Sequence, residues 1–185
     1  MKRIPLFTLL AVAIPAVVLS GCKRSLDVDD VRAFVDQADA ATRKRYAPEI
    51  CELRGRDFTL DLTFESIDDR TPPSEMKIDR KLYCREAGRF ARVRQYRLER
   101  RSLEIDVAED ARTANVVAEY TETLPYYEEG AMPATPDDFR DFVIVESHDE
   151  SVVGIEDGDL VFLGAKVRAS QAELVPKTTL DLPYD

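Results

Sequence analysis

The sequence is short of the residues that most readily declare a reaction. It has no tryptophan, one histidine and three cysteines among 185 residues. A zinc centre needs three or four His, Cys or carboxylate ligands at set spacings, so no metal is expected and no cofactor is called for. The acids of "PYYEEGAMPATPDD" do not restore one. Glu128, Glu129, Asp137 and Asp138 match no calcium loop of the D-x-D-x-D-G kind, and with Tyr126 and Tyr127 they read as a solvated loop or a lid over a pocket mouth. Cations are in deficit too, with 26 Lys and Arg against 36 Asp and Glu, a net charge of −10. Phosphate binding needs a net positive face, which excludes nucleic acid as a partner. Internal repeats and low-complexity blocks are also missing.

A long apolar run is nearly missing as well. Ile4–Val18 is interrupted by Pro5 and Pro15 and falls short of the roughly 20 apolar residues that span a bilayer. Lys2 and Arg3 precede it and small residues follow, the order of an export signal. Its end, Leu19-Ser20-Gly21-Cys22, resembles the lipobox of bacterial lipoproteins. The resemblance implies cleavage before Cys22, a diacylglycerol on its sulfur and a further acyl chain (palmitate-like) on its amine; several chains together anchor stably where one would not. Lys23 follows in place of the aspartate that retains lipoproteins in the inner membrane, so the expected address is the periplasmic face of the outer membrane. Lys23–Leu26 then form the whole tether, about 14 Å at full stretch.

Removing residues 1–21 takes two cations and no acids, so 26 − 2 leaves 24 Lys and Arg against 36 acids, a net of −12. The remainder is long enough for one domain with a sizeable core, expected over 27–174, with 175–185 as a loose tail. Cys51 and Cys84 are left in an oxidising compartment, where a single disulfide is the natural reading.

Val28, Val31, Phe34, Val35, Ala38 and Ala41 recur at helical spacing and predict a helix over Asp27–Arg45, with acids at its start and cations at its end. Pro48 opens a short second helix to about Leu53. In "RDFTLDLTFES", Phe58, Leu60, Leu62 and Phe64 alternate with Thr59, Asp61 and Thr63, a half-buried strand. After Pro72-Pro73, Asp79 caps a third helix to about Tyr96. Two hairpins follow: Leu98–Ala108 with Thr113–Leu124, and Phe139–Ile155 with Leu160–Ala169 across Asp157-Gly158.

This order, with "RKRYAPEICELRGRDFTLDLTFES" early and "ESHDESVVGIEDGDLVFLGAKVRAS" late, resembles the nuclear transport factor 2-like superfamily over residues 27–171. The resemblance implies an α+β cone in which a curved antiparallel sheet wraps around three helices from the N-terminal half and encloses a pocket. Function does not follow from the fold, which serves isomerases, dehydratases, cyclases, ligand binders and interaction domains. Dimerisation through the sheet is common among such proteins, and a homodimer is compatible with this chain. The ketosteroid isomerases of the superfamily place an acidic base near the end of the first strand and a tyrosine on the first helix. Here Leu62 holds the matching strand position, Asp61 points the other way, and no tyrosine precedes Tyr46. Isomerase chemistry of that design is not supported.

Two clusters remain as candidates. His148 shares one face of a strand with Glu146 and Glu150, and a carboxylate beside an imidazole can tune it as a general base. The opposite face, Val145, Ser147, Asp149 and Ser151, is no more apolar, and Phe142 and Ile144 on the histidine's side favour His148 pointing inwards. On the third helix, Lys81, Arg85, Arg89 and Arg92 form a basic stripe; it is a solvated, paired face or a docking surface for anionic headgroups or an acidic partner. The reading as a whole is a lipid-anchored periplasmic domain, more binder than enzyme, that takes a small apolar ligand or an envelope protein. The alternative is an isomerase, dehydratase or hydrolase using His148 with Glu146 or Glu150.

Overall fold

The computed structural model describes residues 25–66, 72–126 and 139–180. The leader, Cys22, the loop residues Tyr127, Glu128, Glu129, Asp137 and Asp138, and residues 181–185 lie outside the described residues.

Helix α1 (Val28–Arg43) opens where Asp27 caps it, the Asp27 carboxylate accepting from the Asp30 amide at 2.8 Å. It stops two residues short of the expected end because Arg45 enters the left-handed region, with φ 54°. The Tyr46 amide then donates to the Ala41 carbonyl at 3.1 Å and the Arg45 amide to Thr42 at 2.9 Å, a closing pattern that satisfies otherwise orphaned carbonyls. Val31, Phe34, Val35, Ala38 and Ala41 of α1 are buried. Each larger side chain among them contributes roughly 1.5–3 kcal/mol. Helix α2 (Ala47–Glu52) starts on Pro48 as expected.

Strand β1 (Arg54–Glu65) leads into β2 (Ser74–Asp79), which the sequence does not announce. Ile78 is the one buried residue in β2, so the strand carries no alternating signature; it sits at the sheet edge and is held by pairing with β1. Helix α3 (Arg80–Phe90) is capped by Asp79, which accepts from the Leu82 amide at 2.7 Å. It ends six residues before Tyr96, and the chain turns back so that the Tyr96 ring meets Phe90 edge-on at 4.7 Å. Cys51 of α2 and Cys84 of α3 form the expected disulfide, with Cα atoms 5.2 Å apart. Closing that 33-residue separation stabilises the fold by roughly 3–4 kcal/mol in the chain-entropy account. Ala87 is the only buried residue of α3, so the crosslink is a main restraint on this helix.

Strands β3 (Arg97–Val107), β4 (Thr113–Tyr126), β5 (Asp141–Glu156) and β6 (Asp159–Pro176) complete a curved sheet in the order β2-β1-β6-β5-β4-β3. The sheet is mixed, which corrects the all-antiparallel expectation: β1 runs parallel to β6, with Leu60 opposite Ala165. Asp157 and Gly158 both take positive φ, 54° and 96°, the tight hairpin turn their sequence predicts. The expected loose tail is also partly ordered. β6 continues to Pro176, and Leu180 packs on Phe139 and Phe142 in a small cluster separate from the main core.

Pairing along β4 and β5 is unbroken from Thr113↔Gly154 to Tyr126↔Asp141, so one parity governs each strand. Ala114, Val116 and Ala118 of β4 and Val153 of β5 are buried on the face toward the helices. The same alternation carries Tyr120 and Glu122, and Ser147, Asp149 and Ser151, onto that inner face. In β3 a bulge between Arg100 and Ser102 shifts the register, so Arg100 and Leu103 both turn inwards while Arg101 joins the outer face.

Candidate functional site

Between α1 and the concave face of the sheet lies a cavity of about 180 Å³. Its walls are largely apolar, with Val35, Leu60, Val116, Ala118, Phe162 and Val167 among them. Into this lining project the carboxyls of Asp39, Glu122 and Asp149, the hydroxyls of Tyr120 and Tyr83, and the guanidinium of Arg54.

Asp39 is 5 % exposed although it sits mid-helix. Arg100 reaches across from β3 and donates from Nη1 to Asp39 Oδ2 at 2.8 Å and from Nη2 to Asp36 Oδ1 at 2.6 Å. The Tyr120 hydroxyl donates to the other Asp39 oxygen at 3.1 Å, and Arg43 lies 3.6 Å away. Burial pushes the Asp39 carboxyl upward, and Arg100, the Tyr120 hydroxyl and Arg43 oppose that push. Tyr120 is itself raised by burial and by the neighbouring Asp39 charge.

The Tyr96 hydroxyl donates to Glu122 Oε2 at 2.8 Å, and burial raises Glu122. Asp149 accepts from the Ser147 hydroxyl at 2.8 Å, and burial pushes it up to about 6. The interior therefore holds three carboxyls raised by burial, of which Asp39 alone is ion-paired. Asp149 can hold or release a proton close to neutrality.

Arg54, the first residue of β1, closes the wall near Phe162. Its guanidinium stacks over Phe162 at 4.5 Å, Tyr83 at 4.8 Å and Phe58 at 5.3 Å. Nη2 donates to the Tyr83 hydroxyl at 2.7 Å.

The expected inward position of His148 is overturned. Its side chain is 43 % exposed on the outer face, with Nδ1 4.0 Å from Glu119 and Nε2 3.6 Å from Glu150. It lines a shallow outer groove with Arg101, Glu146 and Arg168, not the cavity. The cause is Phe142. That residue shares the histidine's parity and is fully buried, but in the outer cluster with Phe139 and Leu180. Its apolar character therefore marks a second small core and not the inner face. His148→Gln is expected to leave stability within about 0.5 kcal/mol of wild type, as for other exposed sites, and to leave occupancy of the cavity unchanged. A urea titration with a parallel ligand titration checks both.

Asp61 faces outwards, 3.6 Å from Lys77, as its strand parity requires. Of the basic stripe, Arg85 and Arg89 pair with Glu86 on their own helix at 3.2 and 3.1 Å and are 66 % and 69 % exposed. Arg80, beside the stripe, donates to the Arg54 carbonyl at 2.9 Å. Lys81 remains exposed on the helix, whereas Arg92, also exposed, falls in the turn after Phe90 and drops out of the expected stripe because α3 ends early. No group of three or more potential metal ligands occurs among the described residues.

No protein-family model and no curated protein matches the chain. Solved structures do. An NTF2-like protein of unknown function from Pseudomonas putida KT2440 superposes with a TM-score of 0.51 at 12 % identity, over 85 % of this chain and 93 % of that one. The hexachlorocyclohexane dehydrochlorinase LinA-type3 from Novosphingobium barchaimii gives 0.50 at 10 % identity, over 84 % and 95 %. A chain of a yeast complex between a deubiquitinase and its cofactor gives 0.50 at 11 % identity, over 78 % and 97 %. At such identities the likeness concerns architecture alone, and it agrees with the element order and the curved sheet: the chain has the nuclear transport factor 2-like fold.

Proposed function

We propose that this protein is a lipid-anchored envelope domain whose cone binds a small, mainly apolar molecule carrying at least one polar group. The observation that carries the reading is the cavity beneath α1, with Asp149, Glu122 and Tyr120 among apolar walls. Small-molecule sites have this composition, with apolar surface for affinity and a few fixed polar groups for orientation. A second reading, acid–base catalysis on the bound molecule, rests on Asp149, whose carboxyl titrates at about 6 inside the cavity. The similar structures include both a dehydrochlorinase and a chain of a deubiquitinase–cofactor complex, so the fold is not confined to one role.

The anchor has a geometric consequence. Leu26 is buried, and its amide donates to the Ala111 carbonyl at 2.8 Å, in the turn between β3 and β4. A lipid on Cys22 therefore brings that end of the sheet to the membrane. Exposed there are Asp27, Asp29, Glu109, Asp110, Asp157 and Asp159 beside Arg32, Arg56 and Arg112, an end that is acidic on balance and offers anionic headgroups little attraction. Helix α3 starts at Arg80, beside Arg54 and near that acidic end, and runs to Phe90 against Tyr96, so its basic stripe lies along the flank of the domain and not on the end itself.

The test is to purify the full chain from membranes in detergent, measure its intact mass, and extract any bound small molecule under denaturing conditions. The expected result is a mature mass beginning at Cys22 plus acyl chains, with an extractable molecule lost when the cavity is filled by Ala118→Phe. An unmodified N-terminus sinks the anchor. An empty cavity that takes up no small molecule sinks the ligand role.

A further inference from the structure

Arg54 is the one cation in the cavity lining, and no carboxylate pairs with it among the described residues. Asp39 has Arg100, Tyr120 and Arg43; Glu122 has Tyr96; Asp149 has Ser147. Arg54 has a single hydrogen bond to a neutral hydroxyl, that of Tyr83. Its Nε and Nη1 are sealed from solvent and have no hydrogen-bond partner. Three rings stack on the guanidinium at 4.5–5.3 Å, which offsets part of the cost of burying a cation but leaves its N–H fork unused. Buried charges are ordinarily paired, and an uncompensated one costs several kcal/mol.

We infer that Arg54 is the anion-binding anchor of the cavity and that the ligand is a small monocarboxylic acid with an apolar body. The inference rests on the cavity being a ligand site, and it adds what that ligand must carry. A carboxylate matches the guanidinium fork in plane and spacing and can take two parallel N–H···O bonds. Because Nη1 is sealed in the ligand-free protein, the guanidinium must swing off its rings toward the cavity, release the Tyr83 hydroxyl and so present its Nη1–Nη2 edge to the carboxylate. A monoanion suits the site better than a phosphate, because Arg54 offers one unmatched positive charge and Glu122 and Asp149 share the same space. Burial favours the protonated form of both carboxyls, which lessens their repulsion of an anionic ligand. The apolar body then lies against Val35, Leu60, Val116 and Val167.

The experiment compares benzoate, benzyl alcohol and benzylamine by isothermal titration calorimetry on the detergent-solubilised full chain, at pH 6, for wild type and Arg54→Met. The expected order in wild type is benzoate first, with the neutral alcohol about tenfold weaker or more. R54M should lose benzoate by a similar factor while keeping the alcohol, and Arg54→Lys, which keeps the charge without the fork, should fall between. R54M without ligand should also melt higher than wild type, because an unmatched interior cation has been removed. Benzyl alcohol or benzylamine binding as well as benzoate would leave the cavity a ligand site and overturn the anion anchor. A lower melting temperature for R54M would also overturn it, since Arg54 would then be a structural plug among its rings. Binding of none of the three, with nothing extractable from the protein, overturns the anchor and the ligand role together.

Discussion

Arg100→Met is expected to destabilise the domain by roughly 3 kcal/mol at pH 7–8, the usual cost of removing one partner from a buried ion pair. Asp39 is 5 % exposed and would be left with the Tyr120 hydroxyl and a half-exposed Arg43 at 3.6 Å. The double variant Arg100→Met/Asp39→Asn should recover much of the loss, because no unmatched charge then remains inside. The penalty should also shrink in acid: burial already raises Asp39, and without Arg100 the carboxyl is protonated at still higher pH, so less charge is stranded. Urea unfolding of the three proteins between pH 4 and 8 measures this. A single-variant loss under about 1 kcal/mol would mean that Arg100 is an ordinary surface pair.

Asp149→Asn should act in the opposite direction and make the protein more stable at pH 8. Burial raises Asp149 from 3.8 to about 6, so the folded protein holds this proton through a window in which the unfolded chain has released it. Stability therefore falls as pH rises from about 4 to about 6 and stays lower above that. A carboxyl displaced that far costs the folded state roughly 3 kcal/mol once it is ionised, an upper figure for what the substitution can restore. The amide that replaces the carboxyl keeps a carbonyl oxygen, which can still accept from the Ser147 hydroxyl. Glu122 and Asp39 are raised by burial as well, so the variant's profile should flatten over this window without becoming level. A wild-type profile that rises steadily from pH 4 to 7 would show that Asp149 ionises as an ordinary surface acid.

Helices α1 and α2 and both hairpins are legible in the sequence because their burial is one-sided and local. The apolar spacing of Val31, Phe34, Val35 and Ala38 needs no knowledge of what covers it. Strand β2 is not legible, since Ser74–Lys77 are all exposed and only a neighbouring strand makes them extended. The cavity is hidden for a different reason: its polar residues occupy positions that apolar patterning assigns to the core. Asp39 lies at i+4 from Val35 and i+8 from Val31, on the buried stripe of α1, yet by residue type it is one more acid on a charged helix. Tyr120 and Glu122 continue the alternation of Val116 and Ala118. An acid in step with apolar neighbours is the available signal. For Asp149 even that signal conflicts, because Phe142 and Ile144 favour the other face. Only the packing of Leu180 on Phe142 resolves the conflict, and its distance in sequence conceals it.

The parallel pairing of β1 with β6 has a consequence for how the molecule comes into being. Leu60 meets Ala165 and Leu62 meets Val167 across about a hundred residues of intervening chain, and such distant closures slow folding. During synthesis or export, β1 and β2 can pair with one another but have no other strand to join until β6 emerges. β6 is the keystone that binds the early hairpin to β5, β4 and β3. A chain ending before Asp159 lacks Phe162, Ala165 and Val167 and so has no closed cone. The cavity is the last part of the protein to exist, and it forms only when the two ends of the domain find each other.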